Sequence, residues 1–138
     1  MEVALAKEKI DALVARFFSA FDNRNGVRPD VATVADCFTE KATIVRQGST
    51  GAELYTVGEF ANPRIELLTH GTLLDFNEWE TSSATQIFNG IAARTSRYSK
   101  SGLLNGNEYS GSGTKCFHFV ELGAGWRIAS LAWVDDDG

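Results

Sequence analysis

A chain of 138 residues, 43% hydrophobic and 22% charged, has the size and composition of one globular domain able to bury a core without staples. Its net charge of −5, with lysines and arginines scattered rather than clustered, argues against nucleic acid as a partner, because phosphate recognition needs a basic surface. No apolar run approaches the roughly 18 residues of a membrane helix, and the N-terminal MEVALAKEKI carries charge throughout, unlike a secretion signal. The expectation is a cytoplasmic protein with no membrane partner.

In chain order, the first element is an amphipathic helix. Ile10, Leu13, Val14, Phe17, Phe18 and Phe21 recur at the spacing of one buried helical face, with Lys7, Glu8, Asp11 and Arg16 opposite. Asp22-Asn23 and Asn25-Gly26 end it with turn chemistry. After Pro29, Asp30 caps a short helix that buries Val31, Val34, Ala35 and Phe38. Residues 42–47 are rich in β-branched side chains and read as a strand. Thr56 and Glu59 form a capping-box pattern. Pro63, with Asn62 as a second cap, predicts a broken helical segment over 57–70, closed by Gly71.

Beyond residue 73 the hydrophobic period becomes strand-like. Four strands are expected near 75–88, 91–101, 109–122 and 125–134, with Asn89-Gly90 as a two-residue hairpin turn. Gly102 to Asn107 reads as a looser turn and Gly123-Ala124-Gly125 as a tight one. The glycine-rich runs do not open a helix after a strand, so they form no phosphate cradle. Cys37 and Cys116 match no metal or redox spacing and read as free core thiols. Asp135-Asp136-Asp137 reads as a solvated end. The whole, residues 1–138, is one α+β domain with a curved antiparallel sheet wrapped over N-terminal helices.

Turn positions give a register, and register assigns faces. Centring the later turns on Asn105 and Ala124 sets Arg94 opposite Cys116 and His118 opposite Ser130. Lys115, Phe117, Phe119, Leu131, Trp133 and Arg97 then share an aromatic inner face. Arg94, Tyr98, His118, Trp126, Ile128 and Ser130 fall on an outer face too apolar for open water, which predicts a homodimer through that face.

The amphipathic first helix, Asp22 after it, the short second helix and the meander ending in Gly125-Trp126-Arg127-Ile128-Ala129-Ser130 resemble the nuclear-transport-factor-2-like superfamily. The likeness is carried by FNGIAARTSRYSKSG (88–102), GTKCFHFVE (113–121) and GWRIASLAWVDD (125–136), and is nearest to small bacterial SnoaL-like, ketosteroid-isomerase-like members. It implies a cystatin-like cone, a bent sheet closed by helices around a pocket, that dimerises through the sheet. It does not imply one activity, because the superfamily holds several enzymes and non-enzymatic binders. Ketosteroid isomerases place a Tyr and two Asp in the pocket, whereas the first helix here offers Phe17, Phe18 and Phe21, and no Asp lies between Asp75 and Asp135. The paired carboxylates of limonene epoxide hydrolase have no placed counterpart. The histidines of scytalone dehydratase face only His70 and His118 here. No catalytic residue carries over.

The residues themselves point to a cavity between the first helix and the inner sheet face, mainly apolar, lined by Phe17, Phe21, Phe117, Phe119 and Trp133. Tyr55, His70 or Lys115 would supply its polar groups; Lys115, Arg97 and Arg46 each need a carboxylate or an anionic ligand if buried. Three functions stay open. One is a binding domain for a small apolar molecule, with no cofactor and no metal. The second is a cofactor-free isomerase, dehydratase or cyclase acting on a hydrophobic carbonyl compound. The third is a dimeric interaction module with no working pocket.

Overall fold

A computed structural model describes residues 2–137. Helix α1 (Glu2–Ser19) is followed by a single 3₁₀ turn at Arg24–Gly26 and the short α2 (Val31–Ala35). Strands β1 (Phe38–Gly48) and β2 (Gly51–Tyr55) form a hairpin that leads into α3 (Val57–Thr69). Strands β3 (Leu73–Ile87), β4 (Ile91–Leu104), β5 (Asn107–Leu122) and β6 (Gly125–Asp135) complete the chain as a meander. The six strands make one curved, unclosed sheet in the order β2-β1-β6-β5-β4-β3. The meander is antiparallel, while β1 joins β6 in parallel, so the sheet is mixed. The architecture is the expected α+β cone.

The helix ends follow their capping residues. The Asp30 carboxylate accepts from the Thr33 amide at 2.7 Å. Thr56 and Glu59 form the reciprocal capping box. Gly71 supplies a φ of +83° just after α3, where a side chain would be strained. The expected break at Asn62 is absent: α3 runs unbroken with Pro63 inside. Phe60, Ala61, Ile65 and Leu68 anchor one side of it in the core, while Pro63 and Glu59 are exposed. Solvent can therefore take over the Glu59 carbonyl that proline leaves without a donor.

Asn23 ties these elements together. Read from sequence as part of a turn, it is 8% exposed. Its side-chain amide donates to the carbonyls of Leu68 at 3.0 Å and Leu73 at 2.8 Å, and its oxygen accepts from the Phe76 amide at 2.7 Å. One side chain thus fixes the end of α1 against both the end of α3 and the start of β3. The core is aromatic around Phe17, whose ring meets Phe18, Phe21, Phe38 and Phe117 edge-on at 5.4–5.8 Å, the favoured geometry for aromatic pairs.

The register differs from expectation at two places. The β4–β5 connection is a two-residue turn, Asn105-Gly106, with φ of 52° and 82°, the positive pair that type I′ hairpins require. Arg94 therefore faces Phe117 rather than Cys116, and the faces of β4 are exchanged. Farther on, the β5–β6 ladder shifts between His118 and Phe119, pairing Phe119 with Ile128 but His118 with Ser130. This bulge brings Trp126 and Ile128 onto the same face as Leu131 and Trp133. So Arg94, Tyr98, Trp126 and Ile128, expected outside, are buried on the inner face. Only His118 and Ser130 of that row lie outside, with Nδ1 and Oγ 3.1 Å apart. Arg97 points outward to Asp136 at 2.7 Å. Cys37 is buried as expected, but Cys116 is exposed on the outer face.

Arg94 is satisfied in its new place. Its guanidinium binds Glu80 twice, at 3.1 and 2.5 Å, and Asp11 of α1 at 2.6 Å. Ser96 donates to the same Glu80 carboxylate at 2.6 Å. This part-buried network clamps the first helix onto β3 and β4.

Candidate functional site

Beneath α3 the helices do not fill the bend of the sheet, and a cavity of about 330 Å³ remains. Phe17 of α1, Phe21 just beyond it, Phe60 and Leu68 of α3, and Trp133 of β6 form its apolar walls. Five strands each contribute one charged side chain: Arg46 from β1, Glu78 from β3, Lys100 from β4, Lys115 from β5 and Asp135 from β6. Arg64 enters from α3. The lining is therefore mixed rather than mainly apolar.

Lys115 is deeper than Arg46 and Lys100 in the cavity lining, with its side chain 6% exposed. Its Nζ lies 3.6 Å from Glu78 Oε2 and 4.2 Å from the centre of the Tyr98 ring, with Trp133 at 5.2 Å and Phe17 at 5.9 Å. Burial pushes its ammonium below the usual lysine range, because desolvation disfavours the charged form; the Glu78 carboxylate opposes this incompletely.

Asp135 is the second centre. It accepts from the Tyr98 hydroxyl and from Lys100 Nζ at 3.2 Å, and Arg46 stands 3.6 Å away. Burial alone would raise its carboxyl, but the Tyr98 hydrogen bond and the Lys100 ammonium outweigh it and hold the group below the ordinary carboxylate range. Burial and the Asp135 carboxylate push the Tyr98 phenol well above its usual value, so it stays a donor. Gly113 makes this contact possible. It sits between Tyr98 and Asp135 in the ladders, and any Cβ there would overlap the Tyr98 hydroxyl and the Val134 carbonyl.

Arg64 differs from the other cations. Its guanidinium lies over Phe60 at 4.4 Å, near Trp133 at 5.2 Å and Tyr55 at 5.4 Å, and donates to the Phe60 carbonyl at 3.0 Å. Burial depresses its pKa, with Tyr55 opposing. Among the described residues it forms no salt bridge, whereas Arg46, Lys100 and Lys115 each do. Four cations and two carboxylates line the cavity, a formal excess of two positive charges in a chain whose net charge is −5.

Of the residues expected at the site, Phe17, Phe21, Lys115 and Trp133 line the cavity. Tyr55 stands behind Trp133, stacked on it at 6.3 Å. Phe117 and Phe119 stack on each other at 5.6 Å and are each 1% exposed, which makes them core. His70 is exposed at the end of α3, 3.8 Å from Glu66, and does not reach the cavity. Glu78, Lys100, Arg64 and Asp135 were not anticipated. For Asp135 a signal existed: Leu131, Trp133 and Asp135 alternate onto one face, and β6 extends through Asp135 instead of ending before a solvated tail. Among the described residues, no group of three His, Cys, Asp or Glu is placed to hold a metal, and no helix is long and apolar enough to cross a membrane.

No protein-family model matches the sequence, and no curated protein matches it significantly. Solved structures do match in three dimensions. A nuclear-transport-factor-2-like superfamily protein from Salmonella enterica superposes with a TM-score of 0.77 at 14% identity, covering 95% of this chain and 91% of the other. A protein of this type with a cystatin-like fold from Novosphingobium aromaticivorans gives 0.77 at 15%, covering 99% and 86%. A cystatin-like protein of unknown function from Nostoc punctiforme gives 0.70 at 18%, covering 96% and 92%. Likeness at this identity establishes the fold, not the activity.

Proposed function

We propose that this chain, a cone of the nuclear-transport-factor-2-like fold, binds a small organic anion with a flat apolar body in the cavity beneath α3. The observation that carries this reading is Arg64, a half-buried guanidinium that lines the cavity among aromatic rings and has no carboxylate partner among the described residues. A desolvated cation without a counter-ion is costly, and a ligand carboxylate would relieve that cost. At an effective dielectric of about 20, two unit charges about 4 Å apart attract by about 4 kcal/mol before desolvation is subtracted. The rings of Phe17, Phe60 and Trp133 suit a planar body, and the volume lies at the small end of ligand pockets, roughly 300–1,000 Å³. One or two rings would fit.

The test is a fluorescence titration followed through Trp133, comparing an aromatic carboxylate such as 2-naphthoate with its uncharged amide. The carboxylate should bind at least tenfold more tightly, and Arg64→Met should erase that preference while leaving the amide unaffected. Equal binding of acid and amide by the wild-type protein would refute the reading.

A cofactor-free enzyme is the second reading, favoured by the buried Lys115–Glu78 pair, which sets a proton donor beside an acceptor in the cavity wall. Self-association through the outer sheet face also stays part of the proposal. The face offered includes Thr95, Arg97, Cys116, His118, Ser130 and Ala132, most of them small side chains. Light scattering at micromolar concentration should give twice the mass of 15.0 kDa, and a monomeric mass would remove the dimer.

A further inference from the structure

We propose that Lys115 is a carbonyl-reactive amine, which condenses through its Nζ with an aldehyde or ketone held in the cavity while Glu78 carries the protons. This rests on the anion-binding reading above and extends it to a chemical class, a flat carbonyl compound bearing an acidic group.

Three observations support it. First, Lys115 faces the cavity yet is 6% exposed, and its carboxylate partner, Glu78 Oε2, stands 3.6 Å from Nζ, beyond hydrogen-bond range. Lys100, the other cavity lysine, is instead held on Asp135 at 3.2 Å. Lys7, Lys9 and Lys41 are exposed. Second, Glu78 is itself 11% exposed, and a small side-chain shift that closes the 3.6 Å gap would let the pair exchange a proton away from bulk water. Third, the rings of Tyr98 and Trp133 beside Nζ exclude solvent, as an amine must be shielded to lose its proton near neutral pH. Burial already draws Lys115 in that direction.

The step balances without an oxidant or reductant. The Glu78 carboxylate takes a proton from the Lys115 ammonium. The freed lone pair on nitrogen attacks the carbonyl carbon, and the C=O π pair moves to oxygen, which takes that proton from Glu78. The nitrogen, now a carbinolamine, gives its own proton to Glu78. Glu78 passes it to the hydroxyl, which leaves as water while the nitrogen lone pair forms C=N. One C–N double bond is made, one C–O double bond is broken and one water is released. Arg64 would hold the acidic group at the other end.

The experiment treats the full chain with 4-carboxybenzaldehyde and cyanoborohydride, which reduces the imine to a stable amine, and maps the adduct by peptide mass spectrometry. One adduct on Lys115 is expected, with Lys7, Lys9 and Lys41 unmodified under limiting reagent. Glu78→Gln should slow the adduct at least tenfold, and Lys115→Arg should abolish it. Because the wild-type map locates the adduct by itself, a variant that fails to fold does not rescue the idea. A parallel fluorescence titration with 4-(hydroxymethyl)benzoate, which has the same shape and no carbonyl, separates the two proposals. Binding of that alcohol without any Lys115 adduct overturns the covalent step and leaves the anion site standing. Neither binding nor adduct overturns both. Adducts spread over the exposed lysines also overturn the assignment.

Discussion

Replacing Glu80 by Gln removes the charge that receives Arg94. The Arg94 side chain is 5% exposed and Glu80 is 20% exposed, so solvent replaces the lost carboxylate at Arg94 only poorly. Removing one partner of a buried ion pair costs about 3–5 kcal/mol. Asp11 stays on the guanidinium at 2.6 Å but is 44% exposed and shared with Lys7, so it compensates only in part and the low end applies, about 3 kcal/mol. At about 2.1 cal/mol/K of unfolding entropy per residue, the chain changes by about 0.3 kcal/mol per degree, and the melting midpoint should fall by about 10 °C. The double variant Glu80→Leu with Arg94→Met removes both charges. It should recover most of the loss, leaving about 1 kcal/mol for Ser96, which loses its acceptor. Urea denaturation followed by circular dichroism measures all three proteins. A Glu80→Gln loss under about 1 kcal/mol, or a double variant no better than the single, would show that the network is not the clamp between α1 and the sheet.

Asn23→Ala strands two buried carbonyls and one amide at once and should cost about 3 kcal/mol; thermal melting checks this, with faster amide exchange expected at the end of α3. Gly113→Ala should push the Tyr98 hydroxyl off Asp135 and cost about 1–3 kcal/mol by overpacking. Adding Tyr98→Phe, which shortens the ring by its oxygen, should recover part of that loss. Asp135 gives a pH signature. Its folded pKa lies below the unfolded value of about 3.9, so its contribution is complete above that pH and is lost as pH falls through the folded pKa. The stability gap between wild type and Asp135→Asn should therefore narrow below about pH 4, and a gap constant from pH 7 to pH 3 would contradict the assignment.

Local chemistry was legible wherever one residue type dictates geometry. Asp30, the Thr56–Glu59 box and Asn89-Gly90 all act where expected. Tertiary register was less legible. The run GLLNGNEYSGSG offers several possible turn centres, and a turn centred on Asn105 instead of Asn105-Gly106 shifts β5 by one residue against β4. That single step put Arg94 and Tyr98 outside. Without the bulge before Ser130, Trp126 and Ile128 would also lie outside, and nothing in the alternation of β6 marks an extra residue. The inner face also carries Arg94, Ser96 and Lys115, whose types suggest solvent. Their burial depends on partners such as Glu80 and Glu78 on β3, at the far edge of the sheet, which no local pattern reveals. The cavity followed the same rule. Its aromatic walls were readable from helical and strand periodicity, and its charged lining was not.

The parallel seating of β1 on β6 also bears on how the chain assembles as it is made. Ile44 pairs with Leu131, and β6 stands between β1 and β5 in the sheet. The strands from β3 onward can zip through short turns, but the β1–β2 hairpin has no docking edge until residues 125–135 have been synthesised and have joined β5. Contacts of such long sequence separation are slow to form, and the aromatic faces of α1 and α3 lack their full sheet meanwhile. Emergence of β6 would accordingly be the step that lets the β1–β2 hairpin join the sheet and the helices gain their full cover.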